Sequence, residues 1–358
     1  MALVKKTRPK PFLLLFIILI LLIIIGAGTW IYLVSPVEKG NKEEIEVVVE
    51  SGSSTSKIGK ILKDKELIHS ELLFKVYIKL NNVKSLKAAH YLFTKDMSLE
   101  EIVKVLEEGS TYNPNLVVIT FKEGLRITDY AKVIEENTNH SYDEVIQVVN
   151  NNTYLKTLVS KYWFLTDSIF TGGIYYPLEG YLVPNTYHFD NKDVSVEEII
   201  ETMLEQMKKE LEPFKNDMVS NPHYYLTMAS IVELEGTNTD NRKMIVGIFE
   251  NRLNSGMNLG SDVTTYYGLQ VPMTSDLTTE QFASINPYNT RSTTMIGKMP
   301  VGPICNPGIS SIEASVKPTN NDYLFFVADK NGKIYYSKTN NEHEKKIAEI
   351  KANGDWIW

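Results

Sequence analysis

The chain has 358 residues, 43% of them hydrophobic and 23% charged, which is the composition of a folded protein with enough apolar material for a core. Its net charge of −7 excludes a generally basic protein that binds nucleic acid through the phosphates. The single cysteine, Cys305, excludes a disulfide framework within the chain. Because no base lies beside it in the sequence, we interpret Cys305 as a small buried residue and not as a nucleophile.

A long apolar segment near the N-terminus is the first predicted element. Residues 12–34 contain no charged side chain, and a helix of about 20 such residues crosses a bilayer. Lysine and arginine are frequent in the tail 1–11, so the positive-inside rule places that tail in the cytoplasm and the residues after about 36, beginning with the linker 35–44, outside the cell. Trp30 and Tyr32 lie where an interfacial aromatic belt is expected. A cleaved signal peptide is the alternative, but its apolar core is shorter, so an uncleaved single-pass anchor is favoured.

Three copies of a strand–turn–helix pattern follow the linker, at 45–62, 91–109 and 117–134. In each copy a β-branched or aromatic run ends at a polar turn, and a Ser or Thr then opens a helix with apolar residues at helical spacing. In the second copy Ser98 and Glu101 have the spacing of a capping box. Such units resemble the small wall-binding LysM module, although an ordinary α+β packing domain without sugar contacts fits the pattern equally well.

The rest of the chain mixes helices, loops and one terminal hairpin, and the fold class predicted for the whole is α+β. A hairpin is predicted because Asn331-Gly332 separates two short runs of strand-forming residues. The predicted elements are helices at 195–218, 222–235 and 239–254, a loop-rich segment at 258–310, strands at 322–329 and 333–337, and a last helix at 341–352.

Two glutamates, Glu233 and Glu235, lie at the end of an otherwise apolar helix, ASIVELEG (229–236). Residues two apart are about 200° apart around a helix axis, so the two carboxyls cannot face one pocket. Glu235 shares its face with apolar residues such as Met228 and Ile231, and these neighbours and the helix dipole both raise its pKa. A carboxyl that stays protonated near neutral pH is what a general acid requires. The alternative is that both glutamates are solvated at a helix end.

The next predicted helix carries Arg252 on its apolar face, where it could hold a carboxylate or a ligand. A surface arginine that lies along apolar neighbours is the alternative. The six histidines are scattered, and no spacing is typical of a metal site or of a common nucleotide-binding or hydrolase motif. We therefore predict neither a metal nor a cofactor.

The segments around these residues resemble the YceG-like family of endolytic murein transglycosylases, over about residues 45–350. The resemblance implies a LysM-like α+β domain at 45–135 and a mixed α+β YceG-like catalytic domain at 136–358. The matching segments keep the family's order: LEGYLVPNTY (178–187), ASIVELEG (229–236), GIFENRLNSGMNLGSDVTTYYG (247–268), NPYNT (286–290), PVGPICNPGISSIEASVKP (300–318) and YLFFVAD (323–329).

The resemblance also implies a reaction, in which nascent peptidoglycan strands are cut between MurNAc and GlcNAc without water. One glutamate protonates the glycosidic oxygen and then acts as base on the MurNAc 6-hydroxyl, which attacks C1 and leaves a 1,6-anhydroMurNAc end. Because the second nucleophile belongs to the substrate, no carboxylate pair is needed. We assign this role to Glu235, with Glu233 as second choice. The implied substrate-binding residues are Arg252, Asp262, Tyr266, Asn286, Tyr288 and Asn289, with Glu179 in support.

Three departures from the family pattern put individual sugar contacts in question and leave the glutamate motif intact. The family usually has Gln-Ser/Thr-Asp-Pro where this chain has GSDV (260–263), Tyr at the position of Arg291, and often His near Ile334.

The resemblance implies peptidoglycan strands as the substrate, synthases of the elongation or division machinery as partners, and no nucleic acid. The enzyme would limit strand elongation from the outer face of the cell membrane. An exported chain without disulfides favours a Gram-positive type of surface. The alternatives are a non-catalytic wall-binding or scaffold protein, and a glycoside hydrolase that leaves reducing ends.

Overall fold

The computed structural model describes residues 11–356 of the chain, which form two compact units that divide between Pro114 and Asn115. Helices predominate in the described residues, and the strands there form three separate two-stranded antiparallel sheets. The predicted α+β class is confirmed. The predicted cytoplasmic tail lies outside the described residues except for its last position, Pro11.

The first unit begins with the apolar helix α1 (Pro11–Val34). Within the described residues it is the one helix long and apolar enough to cross a membrane, over Leu15–Val34, and none of that window is buried inside the protein. The helix ends where the uncharged run ends, and Ser35 caps it by donating from its hydroxyl to the carbonyl of Tyr32.

After α1, the first unit has one two-stranded antiparallel sheet and three helices. In the sheet Val47 lies opposite Tyr91, and both are fully buried beneath the helices. The first two strand–helix copies and the Ser98–Glu101 capping box are confirmed, whereas helix α3 between them was not predicted. The elements are β1 (Glu44–Val49), α2 (Thr55–Asp64), α3 (Glu71–Leu80), β2 (Ala89–Thr94) and α4 (Leu99–Glu108).

The third strand–helix copy lies in the second unit. Its strand β3 (Val117–Thr120) pairs with β4 (Thr186–Phe189), so Val117 lies opposite Phe189 far along the chain. Packing therefore separates this copy from the two that resemble it in sequence. The LysM-like domain at 45–135 and the catalytic domain at 136–358 stay predictions.

The remaining helices and the C-terminal hairpin complete the second unit. The predicted helices at 222–235, 239–254 and 341–352 and the hairpin around Asn331-Gly332 are present, and the loop-rich segment 258–310 contains three short helices that were not predicted. The helices are α5 (Ile127–Asn137), α6 (Tyr142–Val149), α7 (Asn152–Lys161), α8 (Val196–Leu211), α9 (Lys215–Met218), α10 (Pro222–Glu235), α11 (Thr239–Asn254), α12 (Asp262–Gly268), α13 (Thr279–Phe282), α14 (Ile309–Val316) and α15 (Asn340–Ala352), with 3₁₀ turns at Asp167–Phe170, Glu212–Phe214 and Thr293–Met295; the hairpin is β5 (Phe325–Ala328) and β6 (Ile334–Ser337).

Helix α10 lies between the two apolar cores of the second unit. Leu226 and Ala229 pack into one core, and Met228, Ile231 and Val232 pack into the other. A helix that is apolar on all sides must be buried on all sides, which explains why residues 226–232 are inaccessible to solvent. The end of this helix consequently brings its glutamates up against protein and not into open solvent.

Candidate active site

The end of helix α10 separates its two glutamates, as the helical spacing predicts. Glu233 is surrounded by donors: Arg242 forms an ion pair with Oε1 at 2.9 Å, and Oε2 accepts from the Ser311 hydroxyl at 2.6 Å and the Gly308 amide at 3.0 Å. These bonds fix the loop before α14 and the start of α11 against α10. A carboxylate held by a guanidinium in this way is suited to structure more than to proton transfer.

Glu235 has a different environment on the other side of the helix. Its Oε1 accepts a 2.5 Å hydrogen bond from the hydroxyl of Ser261, and the side chain keeps a small exposed surface. Burial raises the pKa of Glu235 to about 7, against the lowering effect of the Ser261 hydrogen bond. The predicted direction of the shift is therefore confirmed, and burial is its largest cause. A group with this pKa carries and releases a proton near neutral pH.

A rim of polar and aromatic side chains lies on helices α12 and α13 and on the loop that carries Arg291, and it follows Ser261, the hydrogen-bond partner of Glu235. Asp262 opens α12 and pairs with Arg291, while Tyr266 lies one turn later on the same face of the helix. Phe282 lies between Tyr266 and Arg291. The rings of Tyr266 and Phe282 meet edge-on with their centroids 6.2 Å apart, and the Arg291 guanidinium lies 5.3 Å from the centroid of the Phe282 ring. We call these four residues the rim.

The charges of the rim act on Glu235 in opposite directions. Asp262 raises the pKa of Glu235 because two negative charges repel, whereas Arg291 lowers it, as does Arg252. The structure thus brings the charges of two predicted site residues, Asp262 and Arg252, within reach of Glu235, and Tyr266 lies one helical turn after Asp262.

Arg252 links helix α11 to its surroundings. Its Nε donates to the carbonyl of Leu324 at 2.6 Å, Nη1 donates to the carbonyl of Leu259, and the guanidinium lies 5.2 Å from the centre of the Phe325 ring. The arginine therefore ties the β5 hairpin and the loop before α12 to the helix that follows Glu235. It contributes positive charge to the site while its hydrogen bonds serve the scaffold.

Asn286, Tyr288 and Asn289 organise the loop that carries Arg291. Asn286 Oδ1 accepts from the amides of Tyr288 at 3.0 Å and Asn289 at 2.9 Å. Asn289 Nδ2 donates to the carbonyl of Ser284 at 2.7 Å, and both Tyr288 and Asn289 have 0% exposed surface. The structure therefore does not bring the last two side chains to a surface where a sugar could touch them, and their predicted role as substrate contacts stays a prediction.

Glu179 lies behind the site in the core. It is 1% exposed, its Oε1 accepts from the amide of Ile127 at 2.9 Å, and its carboxyl also bonds with the hydroxyl of Tyr267 at 3.1 Å. Burial raises the pKa of Glu179 to about 8. Because Tyr267 is part of α12, Glu179 is bonded to the helix that carries Asp262 and Tyr266, and its supporting role in the site stays a prediction.

Four residues of the site were not predicted as functional: Ser261, Arg242, Phe282 and Arg291. Ser261 adjoins Asp262 in the GSDV segment, so its neighbour was the only available signal. Arg242 lies nine positions after Glu233, beyond any helical spacing, and reaches it only because α11 folds back. Arg291 was noted as a departure from the family pattern, and its pairing with Asp262 depends on a long loop.

The fold and the site define a mixed α+β protein in which Glu235, a carboxyl with a raised pKa, lies near the charged residues Asp262 and Arg291 of the rim. The model of the YceG-like family matches residues 47–349, and the chain belongs to that family. The chain is 37% identical over 333 residues to the endolytic murein transglycosylase of Bacillus subtilis strain 168, over 90% of this chain and 89% of the relative.

Two further relatives agree. The endolytic murein transglycosylase of Streptococcus pneumoniae D39 is 32% identical over 333 residues, which cover 88% of this chain and 60% of the pneumococcal protein. A crystal structure of a YceG-like protein from Listeria monocytogenes has a TM-score of 0.60 and 36% identity, over 85% of this chain and 99% of that one. This chain therefore spans about three fifths of the pneumococcal protein and nearly all of the Listeria chain.

Proposed function

We propose that this protein is an endolytic murein transglycosylase that cuts peptidoglycan glycan strands between MurNAc and GlcNAc with Glu235 as its single acid and base. The observation that carries the proposal is the contrast between the two glutamates. Glu233 is held by Arg242 and two further donors, whereas Glu235 has a pKa of about 7, accepts from Ser261 and is influenced by the charges of Asp262 and Arg291. The names of the relatives support the class of reaction.

The reaction needs two proton transfers through one carboxyl. Protonated Glu235 donates its proton to the glycosidic oxygen as the bond from that oxygen to C1 of MurNAc breaks. The resulting carboxylate then accepts the proton of the MurNAc 6-hydroxyl, while the oxygen of that hydroxyl forms the new bond to C1. The products are a new GlcNAc hydroxyl and a 1,6-anhydroMurNAc end, no water is consumed, and Glu235 is protonated again. A pKa near 7 makes both forms of the carboxyl accessible at neutral pH.

The rim supplies the groups that a glycan strand requires for binding. Tyr266 and Phe282 offer aromatic surface for the apolar faces of sugar rings, and Asp262 and Arg291 offer hydrogen bonds and charge. We propose these as the substrate contacts nearest the reacting bond. Arg252, Asn286, Tyr288, Asn289 and Glu179 would act by holding the scaffold that presents them.

Helix α1 would anchor the enzyme in the cell membrane, with its N-terminus in the cytoplasm and the residues after the helix outside. Its length and apolar composition support an anchor, and the preceding basic residues support the orientation. An enzyme held there would act on strands close to the synthases that make them and would limit strand elongation. The LysM-like part would hold the strand, on a Gram-positive type of surface.

The test is cleavage of uncrosslinked glycan strands by the full-length protein in detergent, with mass spectrometry of the new ends. We expect wild-type protein to release fragments with anhydro ends and Glu235→Gln to lose at least about a thousandfold in rate, since a general acid and a general base are both removed. The matched control is Glu233→Gln, the same substitution two positions earlier in the helix, with its cleavage rate referred to the folded fraction.

The products separate the alternatives. Reducing ends heavier by one water would indicate a glycoside hydrolase, and no cleavage by wild-type protein would favour a non-catalytic wall-binding or scaffold protein. Full activity of Glu235→Gln would overturn the assignment of the acid and leave Glu233 as the next candidate.

A further inference from the structure

Helix α3 presents a stripe of exposed apolar side chains. Leu72 is 69% exposed, Val76 39% and Leu80 64%, and their spacing of four residues places them on one face. Phe74 on the opposite side is buried in the core of the first unit. Since α3 needs only one face for that core, the exposed stripe requires another explanation.

The end of α1 packs against α3, so the position of α1 in a membrane would set the position of α3 relative to the membrane surface. The ring of Trp30 stacks on Tyr77 of α3 with centroids 6.5 Å apart, and Tyr32 lies 4.6 Å from the ring of His69, just before α3. Tryptophan and tyrosine at the end of a spanning helix lie at the membrane–water interface. If α1 crosses the membrane, α3 therefore lies at the level of the headgroups.

The linker after α1 is short and hydrogen-bonded, so it does not let the unit move away from the membrane. The amide of Glu38 donates to the carbonyl of Lys95 at 3.0 Å, and the amide of Asp96 donates to the carbonyl of Asn41 at 3.1 Å. Val34, the last residue of α1, packs against the core of the unit. Helix and unit are thus joined through several contacts as well as through the chain.

Lysines flank the stripe on the side away from α1. By helical spacing Lys75 and Lys79 border the stripe on one edge, and Tyr77, which touches Trp30, lies beyond the other edge. Lys75, Lys79 and Lys84 also line an open depression of about 840 Å³ together with Ser54 and Ser56. An apolar stripe edged by lysines is the pattern of a helix that lies in the surface of an anionic membrane.

We propose that α3 is an interfacial helix whose residues Leu72, Val76 and Leu80 insert into the bilayer that α1 crosses, with Lys75, Lys79 and Lys84 among anionic phospholipid headgroups. The proposal rests on the part of the proposed function that makes α1 an anchor. It gives the first unit a fixed orientation on the membrane instead of a free position on a tether. The occupant of the stripe is lipid.

The test uses a fluorescent label on a single new cysteine in the full-length protein, reconstituted one copy per nanodisc in phosphatidylcholine with phosphatidylglycerol. Val76→Cys probes the stripe. Val48→Cys is the matched control, because Val48 is also an exposed valine, at 40%, on the face of strand β1 opposite the buried Val47 and Val49. The native Cys305 is buried and its thiol pKa is raised by burial, so it does not compete for the label.

We expect spin-labelled lipid to quench the label at position 76 about threefold more strongly than the label at position 48, and aqueous iodide to do the reverse. Adding Leu72→Asp and Leu80→Asp should remove the lipid quenching at position 76. Exchanging Lys75 and Lys79 for glutamate should weaken it in discs that contain phosphatidylglycerol and leave it unchanged in phosphatidylcholine alone.

Equal quenching by iodide at positions 76 and 48 would overturn the proposal. Shielding of the label at position 76 from both iodide and lipid would also overturn it, because the stripe would then be covered by protein. If the exchange of Lys75 and Lys79 for glutamate changed the lipid quenching at position 76 equally in both lipid compositions, the role of the lysines would be overturned. If α1 is not an anchor, the protein separates from the discs altogether, so that failure is distinguishable from a failure of α3. Neither outcome depends on glycan cleavage, which is measured separately.

Discussion

The hydroxyl of Ser261 donates a 2.5 Å hydrogen bond to Oε1 of Glu235, joining the loop before α12 to the last residue of α10. A hydrogen bond to the charged form of a carboxyl lowers its pKa, whereas burial raises it. The two effects meet at a value of about 7 for Glu235. Ser261 is therefore a positioning residue that holds the carboxyl and tunes its proton affinity.

Ser261→Ala should reduce the rate of glycan cleavage about tenfold and move the pH dependence of kcat/KM to higher pH, because the carboxylate loses a donor. The Ser261 amide and carbonyl keep their bonds to Thr290 and Thr264, so the loop should stay in place. Ser255→Ala, at the end of α11, is a control that removes an exposed serine hydroxyl without touching Glu235. A lower rate with an unmoved pH profile would contradict the tuning role.

The pH dependence of the wild-type enzyme should have a falling alkaline limb. The acid form of Glu235 is required in the free enzyme, so kcat/KM should decline as the pH rises through about 7. Stability has the same sign: a carboxyl whose pKa is raised on folding contributes fully below its unfolded pKa and loses that contribution as the pH rises through the folded one.

Glu235→Gln should consequently be more stable than wild type at pH 8 by about 2 kcal/mol, with no difference near pH 4. Chemical denaturation at the two pH values measures this. Equal stability of the two proteins at pH 8 would show that the pKa of Glu235 is not raised.

Glu233→Gln should act on stability more than on chemistry. The substitution leaves the guanidinium of Arg242 partly buried without its carboxylate, and we expect a loss of about 3 kcal/mol in the free energy of unfolding. Glycan cleavage by the folded fraction should fall by less than about tenfold, since Glu233 does not move a proton. Intact stability together with lost cleavage would transfer the catalytic role to Glu233.

Removing the charge of Asp262 and removing the charge of Arg291 should shift the pH profile of kcat/KM in opposite directions. Arg291→Gln removes a positive charge and should move the alkaline limb to higher pH, whereas Asp262→Asn should move it to lower pH. The double variant should lie near wild type. Shifts of the same sign in both single variants would show that the pair acts through loop structure and not through charge.

Wild-type protein should lose stability at alkaline pH because of Glu179, and Glu179→Gln should not show this loss. The pKa of Glu179 is raised to about 8 by burial, so wild-type protein should lose stability as the pH rises through that value. At pH 9 the variant should be more stable by roughly 2–4 kcal/mol. Glu179→Ala serves as the contrast, because it leaves the amide of Ile127 without an acceptor and should be less stable than wild type at every pH.

Several elements could be predicted because their signals are local. The Ser98–Glu101 capping box, helices α10 and α11 and the hairpin around Asn331-Gly332 each depend on residues a few positions apart, and all are present. The pairing of strand 117–120 with strand 186–189 could not be predicted, since pairing across such a separation is set by the whole core and not by either segment. Helix α12 was hidden in a segment whose Gly, Thr and Asn content is typical of loops.

The sequence by itself determined that one apolar helix precedes a mixed α+β protein and that Glu233 and Glu235 face different ways, because hydrophobic run length and helical period are properties of neighbouring residues. Only the tertiary structure decided what each glutamate meets. Helix α11 turns back to bring Arg242 to Glu233, and α12 brings Ser261 to Glu235. A pKa depends on burial and on charges from distant segments, so the difference between a structural carboxylate and a proton donor exists only once the chain has folded.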